Sequence, residues 1–242
     1  MTVVTPLRSA FGFLTVFGTR ATSRPDARAT GWFPLVGAVV GLAVGGVWWG
    51  AGELWPPLVA ATIAVALDAG LTGMLHLDGL ADTADGLLPP IDRDRRLDVM
   101  ADPRAGGFAV VTVTLVLGLR VAALASMDPD PVMVAGLWAL ARAAMTLTLA
   151  RVPYARPEGG LASSFVGARP WPGMGGSLVG AMLVVAAMGV PAGPAVASTT
   201  LVGAGLVVWL AWRRLGGFTG DVLGAAGVVG ETVGLLAAAA RW

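Results

Sequence analysis

The stretch Gly107–Met127 reads GFAVVTVTLVLGLRVAALASM and carries one charged residue, Arg120. An α-helix needs about 20 mostly apolar residues to cross the hydrocarbon core of a bilayer. A soluble helix of this length would instead show a polar face. The stretch therefore predicts a membrane-spanning helix.

Other parts of the chain have the same apolar character and predict, with 107–127, about seven membrane helices. These further candidates lie at about 32–52, 58–76, 132–150, 177–197, 198–212 and 222–240. Residues 2–17 favour a short interfacial or re-entrant helix, and no cleavable signal peptide is evident. We expect an all-α fold, a polytopic integral membrane helical bundle, with 1–242 as a single integral membrane domain.

Composition supports this class of protein. The chain is 56% hydrophobic and 13% charged, whereas soluble domains average about 25% charged residues. Its formal net charge of +1 gives no electrostatic reason to expect nucleic acid as a partner. The expected surroundings are a lipid bilayer.

The residue types that are missing narrow the chemistry. The sequence has no Cys and one His, and all 16 basic residues are Arg. Thiolate chemistry, a multi-His metal site within one chain and a Lys Schiff base are therefore excluded. Carboxylates and Arg remain, and these suit Mg2+ and phosphate.

Charged residues between the candidate helices are distributed asymmetrically. One set of loops contains Arg20, Arg24, Arg28, Arg93, Arg95, Arg96, Arg104, Arg151, Arg156, Arg169, Arg213 and Arg214, and the opposite set contains Glu53, Asp128 and Asp130. The positive-inside rule places the Arg-bearing loops in the cytoplasm. All candidate polar chemistry falls on that side, which favours a cell (inner or plasma) membrane enzyme with a cytoplasmic-face site over a transporter.

The run His76-Leu-Asp-Gly-Leu-Ala-Asp-Thr-Ala-Asp-Gly86 concentrates charge in this apolar chain. In a helix, Asp78, Asp82 and Asp85 would share one face within roughly 60°. Like charges at that spacing indicate a bound Mg2+, which handles phosphate or diphosphate. The alternative is an ordinary solvated loop. His76 could orient an Asp or the substrate, or simply cap the membrane helix.

A second polar segment lies just before the 107–127 helix. Residues 92–98 are typical of an amphipathic helix with alternating charge. Asp102 and Arg104 differ because they precede Gly106-Gly107, where the backbone can approach a phosphate that Arg104 could bind.

The turn 216–221, Gly-Gly-Phe-Thr-Gly-Asp, enters the last candidate helix. A Gly-rich turn of this kind presents free backbone N–H groups to an anion. Asp221 could cap the helix or supply another carboxylate. The loop 154–159, with Arg156 and Glu158, is by itself unremarkable.

Three of the ionisable residues inside candidate spans stand out, because such residues are usually functional or paired. They are Asp68, Arg120 and Arg142. Asp68 lies about two turns before His76, which indicates a place in the same cavity. Pairing of Asp68 with Arg142 is the structural alternative.

Together these segments resemble the cobalamin synthase family, also called adenosylcobinamide-GDP ribazoletransferase. The matching blocks are Phe33-Pro34-Leu35-Val36-Gly37, His76–Gly86, Asp102-Pro103-Arg104 with Gly106, Tyr154-Ala155-Arg156 with Glu158-Gly159, and Gly217-Phe218-Thr219-Gly220-Asp221. The second and last blocks are the most specific.

The resemblance implies a Mg2+-dependent membrane enzyme that joins adenosylcobinamide-GDP to alpha-ribazole or its 5′-phosphate and releases GMP. We expect Asp78, Asp82 and Asp85 to hold one or two Mg2+ ions at the diphosphate. The expected catalytic residues are Asp82, Asp221 and His76. The expected substrate-binding residues are Arg104, Arg156, Glu158, Asp102, Gly217 and Gly220.

Two other functions remain open from the sequence. A CDP-alcohol phosphotransferase also uses spaced Asp residues, but normally shows an Ala-Arg pair where this chain has Ala81-Asp82. A small-molecule transporter would use Asp68, Arg120 and Arg142, but no clear internal repeat is present. A homo-oligomer also stays open.

Overall fold

A computed structural model describes residues 4–18, 27–156 and 158–242. Within these residues the chain forms ten α-helices and no β-strand. The helices are α1 (Val4–Leu14), α2 (Phe33–Gly52), α3 (Pro57–Leu71), α4 (Leu75–Leu87), α5 (Arg93–Val99), α6 (Gly107–Ala125), α7 (Pro131–Arg151), α8 (Pro170–Met188), α9 (Ala192–Leu215) and α10 (Gly220–Ala238). Arg20 and Arg24 lie outside the described residues. The predicted all-α fold is confirmed.

Six segments in the described part of the chain are long and apolar enough to cross a membrane. They are Ala27–Gly52, which is α2 with the 3-10 turn before it, and helices α6, α7, α8, α9 and α10. Helices α7 and α10 are largely buried and form the centre, while α6 and α8 expose most of their surface. This arrangement confirms a polytopic membrane bundle.

The candidate span 58–76 is not one straight helix. Helix α3 ends at Leu71, α4 begins at Leu75, and the two are bent by 89°. Gly73 and Met74 take left-handed φ values of 59° and 60°, which stops the first helix and redirects the chain. Helix α4, which carries the Asp run, is therefore not one of the six single-helix spans.

The boundary between the fifth and sixth predicted spans was misplaced. Helix α8 begins at Pro170, where proline suits the first helical turn, rather than near residue 177. It ends before Gly189, whose φ of 68° suits a helix terminus. The break therefore lies at 189–191 rather than between residues 197 and 198, where the two candidate spans meet.

Several loops and helix ends meet at one end of the bundle. The backbone of Tyr154 pairs with that of Phe218, which joins the loop after α7 to the turn before α10. Arg214 at the end of α9 donates to the carbonyl of Leu87 at the end of α4. This end, formed by α4, α5 and the loops before α6, α8 and α10, is called the site end below.

Candidate active site

Helix α4 lies directly against the start of α10 because two glycines remove the side chains that would separate them. A Cβ built on Gly79 would lie 2.8 Å from the carbonyl oxygen of Asp221 and 3.0 Å from its Cα. A Cβ on Gly224 would lie 3.2 Å from the Cα of His76. The two polar blocks, distant in sequence, are thereby brought together.

Three carboxylates influence one another at this contact. Asp78 is exposed and Asp82 is half-buried on α4. Burial, together with the nearby negative charges of Asp221 and Asp78, raises the pKa of Asp82 to about 7. These carboxylates therefore repel a further negative charge and favour the binding of a cation or a proton.

Arg156 supplies positive charge beside this group. Its Nη2 donates to Asp221 Oδ2 at 2.9 Å and to the carbonyl of Met100 at 3.3 Å. Thr219 also donates to Asp221 Oδ2, at 3.2 Å, and accepts from the backbone N–H of Val222. Thr219, not Asp221, is therefore the N-cap of α10, and the carboxylate of Asp221 is directed to the site instead.

A cleft opens beside these groups. Its polar lining comes from His76, Asp78, Tyr154, Arg156 and Asp221. Its other lining residues are Phe13, Leu75, Met145, Gly220, Leu223 and Gly224. The cleft thus combines anionic and cationic side chains with an apolar wall, as a site for a phosphorylated organic molecule would.

Tyr154 was missed as a site residue at the sequence level. Burial raises the pKa of its hydroxyl, and its ring packs edge-on against Phe218 with centroids 5.3 Å apart. Its position as the single Tyr of the chain, two residues before Arg156, was the available signal.

Gly217 and Gly220 have different places at the site. The N–H of Phe218 donates to the carbonyl of Pro153 at 2.9 Å, and Gly217 lies close against the same backbone. Gly217 therefore joins two loops, whereas Gly220 lines the cleft at the first turn of α10.

Asp85 shares the helix with Asp78 and Asp82 but is buried and directed to α6. Its Oδ2 accepts the N–H of Gly106 at 2.5 Å, and its Oδ1 accepts the N–H of Ala109 at 2.9 Å. These are orphan donors at the start of α6, which a carboxylate satisfies well. Asp85 thus fixes the start of α6, and its role as a metal ligand stays a prediction.

Asp102 and Arg104, which were expected to bind phosphate before α6, form an ion pair with each other. Arg104 donates to Asp102 through Nε at 2.9 Å and Nη2 at 2.7 Å, and the Arg104 side chain is 86% exposed. These bonds lower the pKa of Asp102 to about 2. Neither residue lines the cleft, and neither does the exposed Glu158.

The predicted helix over 92–98 is present as α5. Arg96 was expected on its exposed charged surface but is buried instead. It donates to the carbonyls of Gly86 and Leu87 at 2.8 and 3.1 Å. It stabilises the end of α4, where carbonyl groups have no helical partner.

The charges inside the bundle are paired differently from the sequence-level alternative. Asp68 binds Arg120, with Oδ2 and Nη1 2.8 Å apart, so the alternative that paired Asp68 with Arg142 is wrong. Arg142 instead binds Glu231 of α10. Asp68 does not line the cleft. Spacing along the chain did not reveal these partners because they lie on four different helices.

Across 4–18, 27–156 and 158–242, no three Asp, Glu or His side chains converge as ligands of one metal ion. Mg2+ commonly binds through one or two carboxylates plus water and substrate phosphates rather than through an all-protein cage. The hard oxygen donors of Asp78 and Asp82, beside Asp221, fit that mode of binding.

Comparison with known proteins gives a consistent result. The family model described as cobalamin-5-phosphate synthase matches residues 6–239. A relative from Bradyrhizobium diazoefficiens named adenosylcobinamide-GDP ribazoletransferase is 40% identical, with 98% of this chain and 94% of the relative covered. A relative of the same name from Desulforamulus reducens is 34% identical, with 93% and 92% covered. No solved structure matches the chain.

Proposed function

Because this chain belongs to the cobalamin-5-phosphate synthase family of membrane enzymes, we propose that its cleft joins adenosylcobinamide-GDP to alpha-ribazole or alpha-ribazole 5′-phosphate. A ribazole hydroxyl attacks the phosphorus that bears the cobinamide. The phosphoanhydride bond to GMP breaks, and adenosylcobalamin or its 5′-phosphate forms.

The observation that carries this proposal is the meeting of α4 with α10. It places Asp78, Asp221 and Arg156 around one cleft that also has an apolar wall. Transfer of a phosphoryl group requires stabilisation of charge on the transferred and leaving oxygens. An arginine beside clustered carboxylates is suited to that task.

We assign Mg2+ binding to Asp78 and Asp82. Mutual repulsion among these carboxylates and Asp221 supports a cation here, and so does Asp78, which is exposed and lines the cleft. When bound, the ion would neutralise diphosphate charge. Asp85 is left out of this ligand set because both of its oxygens already accept backbone N–H groups.

Arg156 and Asp221 have complementary roles in the proposal. Arg156 binds a phosphoryl oxygen, which a guanidinium recognises strongly. Within the described residues, the hydrogen bonds to the Asp221 side chain are made to Oδ2, which leaves Oδ1 to accept the proton of the attacking ribazole hydroxyl. Arg156 and Thr219 hold the carboxylate in place for this transfer.

The proposed orientation puts the site end in the cytoplasm of a cell (inner or plasma) membrane. Arg93, Arg104 and Arg156 belong to that end, whereas Glu53, Asp128 and Asp130 lie in the loops at the other end. The positive-inside rule supports this choice. Both substrates would then reach the cleft from the cytoplasm.

The test uses the full chain in lipid nanodiscs with Mg2+, adenosylcobinamide-GDP and alpha-ribazole 5′-phosphate, and mass spectrometry of GMP and the corrinoid product. We expect Mg2+-dependent release of both. Asp82→Asn should abolish turnover. Asp94→Asn, the same change on an exposed residue of α5, should not. Absence of turnover by folded wild-type protein would refute the proposal, and an active Asp82→Asn variant would refute the metal assignment.

A further inference from the structure

A network of buried charges crosses the interior of the bundle and is not used by the proposed reaction. Glu231 on α10 accepts from Arg120 on α6 through Oε2 at 2.5 Å and from Arg142 on α7 through Oε1. Arg120 also binds Asp68, which accepts from Trp138 Nε1 at 2.9 Å. Two positive and two negative charges therefore balance one another within four helices.

One end of this network contacts the cleft. Arg142 Nη1 binds Glu231, and Arg142 Nη2 lies 3.3 Å from His76 Nδ1. The planar guanidinium is thus held by a carboxylate on one nitrogen and directed to the imidazole with the other. His76 in turn lines the cleft.

The direction of the hydrogen bond follows from the chemistry of arginine. A guanidinium has only donors, so Nδ1 of His76 must accept and carries no proton. A neutral imidazole with an accepting Nδ1 has its proton on Nε2. The contact with Arg142 therefore selects one tautomer of the ring.

The second ring nitrogen is available to the cleft. Within the described residues, the hydrogen bond of the His76 ring is the one at Nδ1. Because His76 lines the cleft, Nε2 is the ring nitrogen left for a bound molecule.

We propose that Glu231 and Arg142 are positioning residues that hold His76 as an Nε2–H donor to a phosphoryl oxygen of the bound nucleotide substrate. This inference rests on the proposed function and gives His76 the role of a donor rather than a base. Glu231 restrains Arg142, and Arg142 fixes both the orientation and the tautomer of the ring.

The first experiment examines the tautomer without substrate. His76 is the single His of the chain, so tag-free protein labelled with 15N-histidine in lipid gives the ring signals of one residue. We expect a protonated Nε2 and an unprotonated Nδ1 in the wild type, and mixed tautomers in Arg142→Met. A wild-type ring protonated at Nδ1 would overturn the proposal.

The second experiment compares two amide replacements in the turnover assay. Gln places an amide N–H near the position of Nε2, whereas Asn places it near Nδ1. We expect His76→Gln to keep kcat within about tenfold of the wild type, and His76→Asn to lose about 100-fold or more, the usual effect of removing one preorganised donor. Equal losses in both variants would contradict the donor role.

The two experiments separate this inference from the proposed function. If wild-type protein does not turn over the proposed substrates, the proposed function fails, and the donor role to that substrate fails with it. If the wild type is active but the tautomer or the order of the variants is reversed, the inference alone fails.

Discussion

The contact between Gly79 and Asp221 makes a sharp prediction for Gly79→Ala. The new Cβ would lie 2.8 Å from the Asp221 oxygen and 3.0 Å from its Cα. Both atoms belong to the backbone and cannot rotate away. Non-bonded carbon atoms prefer about 3.5–4.0 Å, so α4 and α10 must separate by roughly 0.5–1 Å.

The stability cost of this separation should be modest. Overpacking costs about 1–3 kcal/mol, and replacing a helical Gly by Ala returns about 1 kcal/mol. The net change in the free energy of unfolding is then about 0–2 kcal/mol. Activity should suffer more, because a displacement near 1 Å between catalytic groups can cost about 100-fold. Asp221 would move away from Asp82 and from the bound diphosphate.

The assay measures kcat and thermal unfolding of Gly79→Ala beside Gly118→Ala. Gly118 lies in α6, and a Cβ built there meets nothing within 4 Å. The control should keep wild-type kcat and equal or higher stability. We expect kcat of Gly79→Ala to fall about 10- to 100-fold. If its kcat matched that of Gly118→Ala, the α4–α10 contact would not set the catalytic geometry.

Three further predictions concern the polar residues. Without Mg2+ at pH 8, Asp82→Asn should raise the melting temperature by roughly a few degrees, since part of the repulsion is screened by solvent. This gain in melting temperature should shrink towards pH 5. The pKa of Asp82 is about 7 in the folded protein and 3.8 as its ordinary value, so ionisation of Asp82 weakens the fold as pH rises from 3.8 to 7. A difference in melting temperature that did not change with pH would contradict this. Asp85→Ala should lower the free energy of unfolding by about 1–3 kcal/mol in denaturant titrations, because two backbone N–H groups lose their acceptor. An unchanged denaturation midpoint would refute the role of Asp85 at the start of α6. Arg156→Lys should raise KM for the nucleotide substrate about tenfold, whereas Arg104→Lys, a change at an exposed residue, should leave KM unchanged. A larger rise in KM for Arg104→Lys than for Arg156→Lys would instead indicate that Arg104 is the phosphate ligand.

Much of the fold was predictable from local sequence. The apolar run 107–127 became α6, because the length of an apolar stretch decides by itself whether a helix can cross a bilayer. The run that carries Asp78, Asp82 and Asp85 is helical, as the one-face spacing of the three residues assumed, because helical periodicity is local. The bend between α3 and α4 was not predicted, because it depends on the three residues 72–74 within an otherwise apolar segment.

The roles of individual polar residues depended on tertiary contacts. Helical spacing treats Asp78, Asp82 and Asp85 alike, yet Asp85 lies against the start of α6 and accepts its N–H groups. The sequence offered Asp68 and Arg142 as partners of each other, but their actual partners Arg120 and Glu231 come from other helices far away in the chain. The sequence by itself determined the membrane class, most of the membrane helices and the family of this protein, because these depend on apolar length and short motifs. Only the tertiary structure decided which carboxylates remain open to the cleft. A carboxylate that accepts the unpaired backbone N–H groups at the start of a neighbouring helix, as Asp85 does, is not open, and the sequence does not show which helix that neighbour is.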